Sequence, residues 1–267
     1  MSKGLAQQYQ KKTDKQHILD NPDTYIGSIE NVNQDCYIYD DSEKKIISKE
    51  IQYISGLYKL FDEGIVNCRD HVIRMDQKMI NEPDMKHFPV TKLDIEINDD
   101  GTISMLNDGN GIDIVKHPEH KLWIPEMIFG HLRTSTNYKK DEDKIVGGKN
   151  GFGFKLVLIY SLWGKIETVD AYRGLKYVQE FKDNLSVICK PSVKKSQRSP
   201  YTKVSFLLDY KRFGLKKLTE DMFNVIRKRT FDIAAVTNKD VCVRWNGKVL
   251  PVRSFENYID RYIGKKK

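Results

Sequence analysis

The sequence predicts an α+β fold, a two-layer sandwich in which helices cover one face of a mixed, mainly antiparallel sheet. Apolar residues recur at three- to four-residue spacing over 54–74 and again over 217–236, which indicates two amphipathic helices. Between and after these segments, short runs of alternating apolar and polar residues are separated by turn residues, which indicates strands joined in hairpins. Helices combined with such strands are typical of a sheet with helices packed on one side.

The chain opens with a polar arm over residues 1–16, and we expect residues 17–267 to form one domain. An Asn-Pro-Asp turn follows at 21–23. The helix over 54–74 comes next and carries apolar residues such as Leu57 along one side.

A β-hairpin is predicted after this helix. Residues 93–97 and 103–105 alternate apolar with polar side chains, and Asp100-Gly101 supplies the turn. A charged, loop-like stretch at 138–147 then leads to 150–162, which starts glycine-rich and ends apolar, as a loop feeding a helix does. Further strands are predicted at 166–171, 177–181, 185–189 and 203–208, then a hairpin over 241–252 with an Asn-Gly turn, and last a helix over 254–263 capped by Ser254.

The composition is that of a soluble globular protein, with 39% hydrophobic and 31% charged residues among 267. The longest apolar run, 156–160, is too short to span a membrane, and the polar N-terminus lacks the apolar region of a secretory signal. The four cysteines are scattered with no Cys-x-x-Cys pair. They suit a reducing compartment and argue against a disulfide framework and a structural zinc site.

The net charge of +8 is unevenly distributed along the chain. Residues 1–150 have a balance of −6, whereas residues 151–267 have a balance of +14. A basic half favours a polyanionic neighbour such as nucleic acid or nucleotide phosphates, and it equally fits a solvated lysine-rich surface.

One face of the first predicted helix combines Glu63, Asn67 and Asp70, at positions i, i+4 and i+7. A carboxylate and an amide oxygen on one face can hold a magnesium ion and a water together. The carboxylate can then take a proton from that water. Taken alone, the segment is explained more simply as an amphipathic helix with a polar exposed face.

The segment 107–112, Asn-Asp-Gly-Asn-Gly-Ile, directly follows the second strand of the first hairpin. Gly109 and Gly111 flank one residue and let the backbone approach a flat ligand closely. An amide or carboxylate oxygen, from Asn107 or Asp108, could accept a hydrogen bond from the exocyclic amine of adenine. Taken alone, a glycine turn leaving a strand is the simpler explanation.

The segment 147–155 places four glycines within seven residues before an apolar helix. Exposed amides at a helix N-terminus form an anion site, and Lys155 adds positive charge, so a phosphate cradle is favoured over a flexible loop. The segment is not a Walker A loop, because Phe154 occupies the lysine position and no Ser or Thr follows.

The order of these three segments resembles the GHKL superfamily of ATPases, which includes gyrase, heat-shock chaperones, MutL and sensor histidine kinases. Within it, the sequence is most similar to the ATPase domain of eukaryote-type type IIA DNA topoisomerases, and the similarity covers essentially the whole chain. The stretches that carry it are 9–13 (Tyr-Gln-Lys-Lys-Thr), 17–19, 22–28, 56–63, 128–132, 135–138 and 246–252.

The resemblance implies a Bergerat-type fold that binds ATP with Mg²⁺ and hydrolyses the ATP. It implies that Glu63 is the general base, that Asn67 is the magnesium ligand and that Asn107 recognises adenine. Lys155 is implied in catalysis as a cation close to the phosphates. The other residues implied in nucleotide binding are Asp108 and Gly111, the lid residues Ser135, Thr136 and Asn137, the phosphate loop Gly148, Lys149, Asn150, Gly151, Phe152, Gly153, Phe154 and Lys155, and Tyr9 in the arm.

The same resemblance implies the partners. In this family the arm straps across the partner subunit, so the expected assembly is a nucleotide-dependent homodimer. In the full-length enzyme that dimer gates the passage of one DNA duplex through another, with no membrane partner. We expect an intracellular location, nuclear in a eukaryotic cell and otherwise cytoplasmic or in a viral replication compartment.

Three features depart from the family pattern. Gyrase-like members carry Asp where this chain has Asn107, although an amide oxygen can also accept the adenine amine. Eukaryotic members commonly have Ala-Ala-Asp-Asn where this chain has 68–71, Cys-Arg-Asp-His, which leaves the role of His71 open. The Gln-Thr-Lys loop of the family's second domain is absent, so we expect a fragment of a larger enzyme.

Two alternatives belong to other functional classes. A chaperone-type or MutL-type ATPase would lack the Tyr-Gln-Lys-Lys arm. A non-catalytic module that senses ATP or holds DNA would be expected to lose the base first, and Glu63 is present.

Overall fold

A computed structural model describes residues 12–132 and 153–264. Tyr9 of the arm and the lid and phosphate-loop residues 135–137 and 148–152 lie outside the described residues. The described elements, in chain order, are α1 (Asp14–Asp20), α2 (Pro22–Tyr25), β1 (Val32–Asp40), β2 (Lys45–Tyr53), α3 (Ser55–Asn81), β3 (Lys92–Ile97), β4 (Ile103–Asp108), α4 (Ile124–Gly130), α5 (Gly153–Ile159), β5 (Ser161–Asp170), β6 (Leu175–Lys182), β7 (Val187–Ile188), β8 (Ser192–Lys195), β9 (Tyr201–Leu208), the 3₁₀ turn Tyr210–Phe213, α6 (Glu220–Ala235), β10 (Cys242–Trp245), β11 (Lys248–Val249) and α7 (Phe255–Ile263).

Within these residues, nine strands form one mixed sheet. The order is β11-β10-β3-β4-β9-β5-β6-β7, and β8 also pairs with β6. The pairing of β10 with β3 is parallel, and the other pairings described in this sheet are antiparallel. The predicted mixed, mainly antiparallel sheet is therefore confirmed.

Helices α3 and α5 cover the apolar face of the sheet. Gly64 of α3 lies so close to β4 that an added Cβ would be 2.6 Å from Met105 Sδ. Phe154 of α5 packs edge-on against Phe206 of β9, with ring centroids 5.7 Å apart. Met105 and Phe206 are almost completely buried, and each such side chain contributes about 1.5–3 kcal/mol through burial. The second layer of the sandwich is thus held by ordinary apolar packing.

Helix α6 packs against α3 and against β10. The guanidinium Nε of Arg229 donates a hydrogen bond of 2.7 Å to Asp62 Oδ1. Thr219 caps α6 by accepting a hydrogen bond from the Met222 amide. Because Asp62 directly precedes Glu63, this ion pair helps to fix the part of α3 that carries the candidate site.

Helix α3 is longer than the sequence pattern predicts. The expected helix ended at residue 74, whereas α3 continues to Asn81, with Met75 buried against the core. The helix stops where the Glu82 amide bonds to the Lys78 carbonyl and Pro83 follows. Proline at that position cannot continue the helical hydrogen bonds.

Two further differences concern strands. The antiparallel hairpin of β1 and β2 was not predicted, because many of its side chains are polar and exposed. The strand predicted at 185–189 is wrong over most of its length. Asp183, Asn184 and Leu185 adopt positive φ and form a turn, so only the two residues of β7 pair with β6.

Helix α1 runs across the predicted boundary between the arm and the domain. It starts at Asp14, capped by Thr13, and its Ile18 is buried. The hydroxyl of Tyr160 donates a 2.7 Å hydrogen bond to the Ile18 carbonyl, which docks α1 on the domain. The division at residue 16 stays a prediction. In the described ranges, none of the helices combines the length and apolarity needed to cross a bilayer.

Candidate active site

The carboxylate of Glu63 lies where α3 meets the first residue of α5. Its Oε1 is 2.6 Å from Lys59 Nζ, one helical turn earlier. Its Oε2 would be 3.2 Å from a Cβ added at Gly153. The structure therefore brings together two segments that the sequence separates widely, and a side chain at residue 153 would press on the Glu63 carboxylate.

Asn67 lies one turn after Glu63 and is exposed. Its Nδ2 donates a 2.6 Å hydrogen bond to the Glu63 carbonyl. Because the nitrogen is used in this way, the amide oxygen is left as an acceptor. Asp70, expected on the same polar face, is instead buried at 6% exposure. Of the three residues predicted to share a polar face, Glu63 is therefore half-buried, Asn67 is exposed and Asp70 is buried.

Asn107, the last residue but one of β4, lies on the side of the sheet that faces the helices, two residues beyond Met105. It is buried, and its Nδ2 donates to the Asp108 carbonyl at 3.0 Å. Strand register places Asn107 beside Thr202 of β9, and Thr202 beside Thr168 of β5. The hydroxyls of Thr168 and Thr202 are 3.0 Å apart.

These three side chains form a polar patch on the sheet face that also carries Ile166 and Val204. Thr168 and Thr202 were not predicted from the sequence. The available signal was a threonine at an inward-facing position of each strand, two residues from Ile166 and from Val204. Buried hydroxyls and amides of this kind fix the orientation of a bound ligand.

Asp108 is engaged by its own chain. Its Oδ1 accepts from the amides of Thr91 and Lys92, both at 2.8 Å, and its Oδ2 accepts from the Thr91 hydroxyl. The carboxylate therefore ties the start of β3 to the end of β4. Direct contact of Asp108 with a ligand stays a prediction, and the described geometry favours a role in holding Asn107 in place.

Gly111 is needed for a different contact from the one expected. A Cβ at this position would overlap the carbonyl group of Val169 in β5. The next residue, Ile112, donates its amide to Thr168 Oγ1 at 2.9 Å. In the described structure, this glycine thus lets the backbone approach β5 closely. A contact between Gly111 and a ligand stays a prediction.

His71 lies beneath the glycine turn that follows β4. Its Nε2 would be 3.2 Å from a Cβ at Gly109, and this nitrogen is buried although part of the residue is exposed. Removal of the ring from water, and secondarily the positive charge of Arg74, lower the pKa of His71 to about 4. The imidazole is therefore neutral near pH 7 and packs against the turn as an uncharged ring.

Helix α5 carries two of the predicted site residues, Phe154 and Lys155, and both are buried. The ring of Phe154 packs edge-on against Phe129, with centroids 5.5 Å apart, so its side chain belongs to the core. Only the backbone of Phe154 is left for a ligand. Lys155 is 3% exposed, and burial lowers its pKa to about 8. It stays mainly protonated at pH 7.

One helix on the sheet carries Glu63 and Asn67, and a second helix starts at Gly153, beside the Glu63 carboxylate. This combination is typical of ATPases with the GHKL fold. No protein-family model matches the chain. The DNA topoisomerase 2 of Acanthamoeba polyphaga mimivirus is 45% identical over 264 residues, 97% of this chain and 20% of that protein. The DNA topoisomerase 2 of Saccharomyces cerevisiae is 42% identical over 260 residues, 97% of this chain and 17% of that protein.

Solved structures agree with these relatives. The ATPase region of Saccharomyces cerevisiae topoisomerase II matches with a TM-score of 0.89 at 41% identity, covering 97% of this chain and 65% of that chain. The ATPase and transducer domains of DNA topoisomerase II from Balamuthia mandrillaris match with a TM-score of 0.86 at 37% identity, covering 96% and 63%. Nearly the whole of this chain is therefore similar to DNA topoisomerase II, and within that enzyme it matches part of the ATPase region. It spans about a fifth of the length of the curated relatives.

Proposed function

We propose that this chain binds ATP with Mg²⁺ and hydrolyses the ATP, as the ATPase domain of a type II DNA topoisomerase. The observation that carries the proposal is the position of the Glu63 carboxylate beside the start of α5, in a chain 41% identical to the yeast ATPase region. In this arrangement Glu63 orients the attacking water and accepts its proton. Lys59 holds Oε1, which leaves Oε2 on the side of Gly153.

The residues present fit a magnesium ion. Asn67 is exposed, and its amide oxygen is not used in the described hydrogen bond to the helix. Magnesium prefers oxygen ligands and keeps several of its waters, so one amide oxygen is an adequate protein ligand. When bound, the ion would neutralise charge on the phosphates. Asn107, with Thr168 and Thr202, would bind the adenine, and Lys155 would face the phosphates.

The wider activity follows as part of the same proposal. Nucleotide binding would bring two copies together, with the arm around Tyr9 reaching the partner subunit, and the dimer of the parent enzyme would gate the passage of double-stranded DNA. The roles of Ser135, Thr136, Asn137 and residues 148–152 stay predictions. Eukaryotic and viral relatives favour action in a nucleus or a viral replication compartment.

Replacement of the base tests the proposal. Glu63→Gln keeps the shape of the side chain but cannot accept a proton, so hydrolysis should fall by ~10²–10⁴-fold while nucleotide binding is retained. Steady-state ATP turnover and calorimetric titration with a non-hydrolysable analogue measure the two properties separately. Glu43→Gln, at an exposed turn residue between β1 and β2, is the matched control. Wild-type turnover in Glu63→Gln would show that another group is the base.

A further inference from the structure

We propose that His117, Glu119 and His120 form a binding site for a divalent transition-metal ion of the Zn²⁺ type. The three residues lie in the loop between β4 and α4. One ligand atom from each lies within 4.8 Å of the other two. His117 is half-buried, whereas Glu119 and His120 are exposed, so an ion can reach the site from solvent. The proposal does not depend on the function of the nucleotide site.

The two imidazole rings are already arranged side by side. Their centroids are 4.7 Å apart, and the angle between their planes is 31°. Zinc binds histidine nitrogen and carboxylate oxygen at about 2.0–2.2 Å, which places tetrahedral ligand atoms about 3.3 Å apart. The ligand atoms now lie within 4.8 Å of one another. Side-chain rotation therefore has to shorten each distance between two ligand atoms by ~1.5 Å at most. Three protein ligands would leave a fourth position for water.

The backbone of this loop is closed on itself. Lys116 and Trp123 pair as an antiparallel bridge. Inside that bridge, the His117 amide donates to the Leu122 carbonyl at 2.8 Å, and the Lys121 amide donates to the His117 carbonyl at 2.9 Å. Lys121 has a φ of 57°, in the left-handed region that such a tight turn requires.

Because the loop is closed by these hydrogen bonds, the three ligand side chains are held close together before an ion binds. The amides of Glu119 and His120 also donate hydrogen bonds to His117 Nδ1, at 3.3 and 3.4 Å, which orients this ring within the turn. Since the ligands all come from one closed turn, binding orders only three side chains. A preorganised site of this kind loses less conformational entropy on binding.

The ligand set selects the class of ion. Two imidazole nitrogens and one carboxylate suit Zn²⁺, Cu²⁺, Ni²⁺ and Co²⁺, whereas Mg²⁺ and Ca²⁺ prefer oxygen ligands. The neighbouring Lys116 is directed elsewhere, with its ammonium 5.3 Å above the Trp123 ring. The site is therefore chemically distinct from the magnesium position proposed at Asn67.

Titration of the whole chain with zinc chloride in excess Mg²⁺ tests the proposal. We expect one saturable Zn²⁺ per chain by calorimetry, and for Co²⁺ the intense visible absorption of a tetrahedral complex. His120→Ala and Glu119→Gln should each weaken Zn²⁺ binding by at least about tenfold, the scale of loss seen when metal sites are perturbed. Both residues are exposed, so these variants should fold, and their melting without metal checks this.

His131→Ala is the matched control, because His131 approaches Glu126 at 3.7 Å and is not part of the cluster. It should bind Zn²⁺ as the wild type does. Zinc should also raise the Tm of the wild type and of His131→Ala, but not that of His120→Ala, since a ligand stabilises only the state that binds it. The absence of saturable binding in the wild type overturns the proposal. Unchanged affinity in His120→Ala and Glu119→Gln also overturns it, because the ion would then be bound elsewhere.

Discussion

Lys155 is a buried cation whose protonation should control the affinity for phosphate. Its pKa is lowered to about 8, so the free protein holds it charged below that pH and neutral above it. Bound phosphate favours the charged form and raises the pKa, so binding takes up a proton at higher pH. Affinity for a nucleotide analogue should therefore fall about tenfold between about pH 7 and about pH 9.

Calorimetry at several pH values, in buffers of different ionisation enthalpy, measures both the affinity and the proton uptake. Lys155→Met is the control, because it should bind more weakly at each pH and lose this pH dependence. If the affinity of Lys155→Met changed with pH as much as that of the wild type, the titrating group would be another residue.

Asn67 can be tested apart from the stability of the fold because it is exposed. Asn67→Ala removes the amide oxygen proposed as a magnesium ligand, so the Mg²⁺-dependent part of the nucleotide affinity should be lost. The affinity in EDTA should change little, and so should the Tm. Titrations with and without Mg²⁺ measure this, with Asn81→Ala at the exposed end of α3 as control. Equal Mg²⁺ dependence in wild type and Asn67→Ala would contradict the assignment.

At the scale of the elements, Gly111 separates two explanations of the glycine-rich turn after β4. A Cβ at residue 111 overlaps the Val169 carbonyl, and backbone atoms cannot move aside as a side-chain tip can. Gly111→Ala should therefore lower the free energy of unfolding by about 3 kcal/mol or more, at the upper end of overpacking costs. Denaturant unfolding measures the loss.

Gly214→Ala is the matched control for this substitution. Gly214 has a φ of 68° but open space where its Cβ would be, so the substitution introduces strain without a clash. The expected loss is about 1–2 kcal/mol. A Gly111→Ala protein with unchanged stability and weaker nucleotide binding would instead support direct contact of Gly111 with the ligand.

Sequence patterns identified the elements whose signals are local. The hairpin of β3 and β4 has a strict alternation and an Asp-Gly turn, and that of β10 and β11 has Asn246 and Gly247, both at positive φ. The hairpin of β1 and β2 lacks such a signal. Its Ile38 and Ile51 are buried against Val225 of α6, and this contact is remote in sequence.

The residues of the candidate site also differ in whether a local sequence pattern can predict them. Spacing along α3 predicted that Glu63 and Asn67 lie one turn apart, but it did not predict the burial of Asp70. The buried threonines at the end of the sheet depend on the register of β9 between β4 and β5. The close contact of Gly111 likewise depends on β5, and such pairings between distant segments cannot be derived from a local pattern.

On the scale of the whole molecule, the basic second half is partly neutralised by its own structure. Lys165 and Lys176 both bind Glu167, at 2.9 and 2.8 Å, and Lys203 lies 3.7 Å from Glu96. These pairs lie on the face of the sheet away from the helices. They reduce the positive field available to a DNA duplex, so contact with DNA phosphates by this chain stays a prediction.

The relation to longer solved chains leads to the last prediction. This chain covers 65% of the yeast ATPase region and 63% of a chain that holds the ATPase and transducer domains of the Balamuthia mandrillaris enzyme. The family resemblance implies that the lysine of the Gln-Thr-Lys loop, in the second domain, reaches the γ-phosphate of ATP. Phosphoryl transfer depends largely on positioning and on cations at the phosphates, so a site without this lysine should be slow.

The 267-residue chain should therefore bind ATP, hydrolyse it slowly, and be monomeric or weakly dimeric without nucleotide. An analogue that keeps the γ-phosphate should favour the dimer. A protein extended through the second domain should turn over ATP at least about tenfold faster, which corresponds to ~1.4 kcal/mol of barrier. Steady-state turnover of both proteins, with light scattering in the presence and absence of analogue, measures this. Glu63→Gln in the extended protein is the control, since it should abolish the gain. Equal rates for the short and extended proteins would show that the catalytic site is complete within this chain.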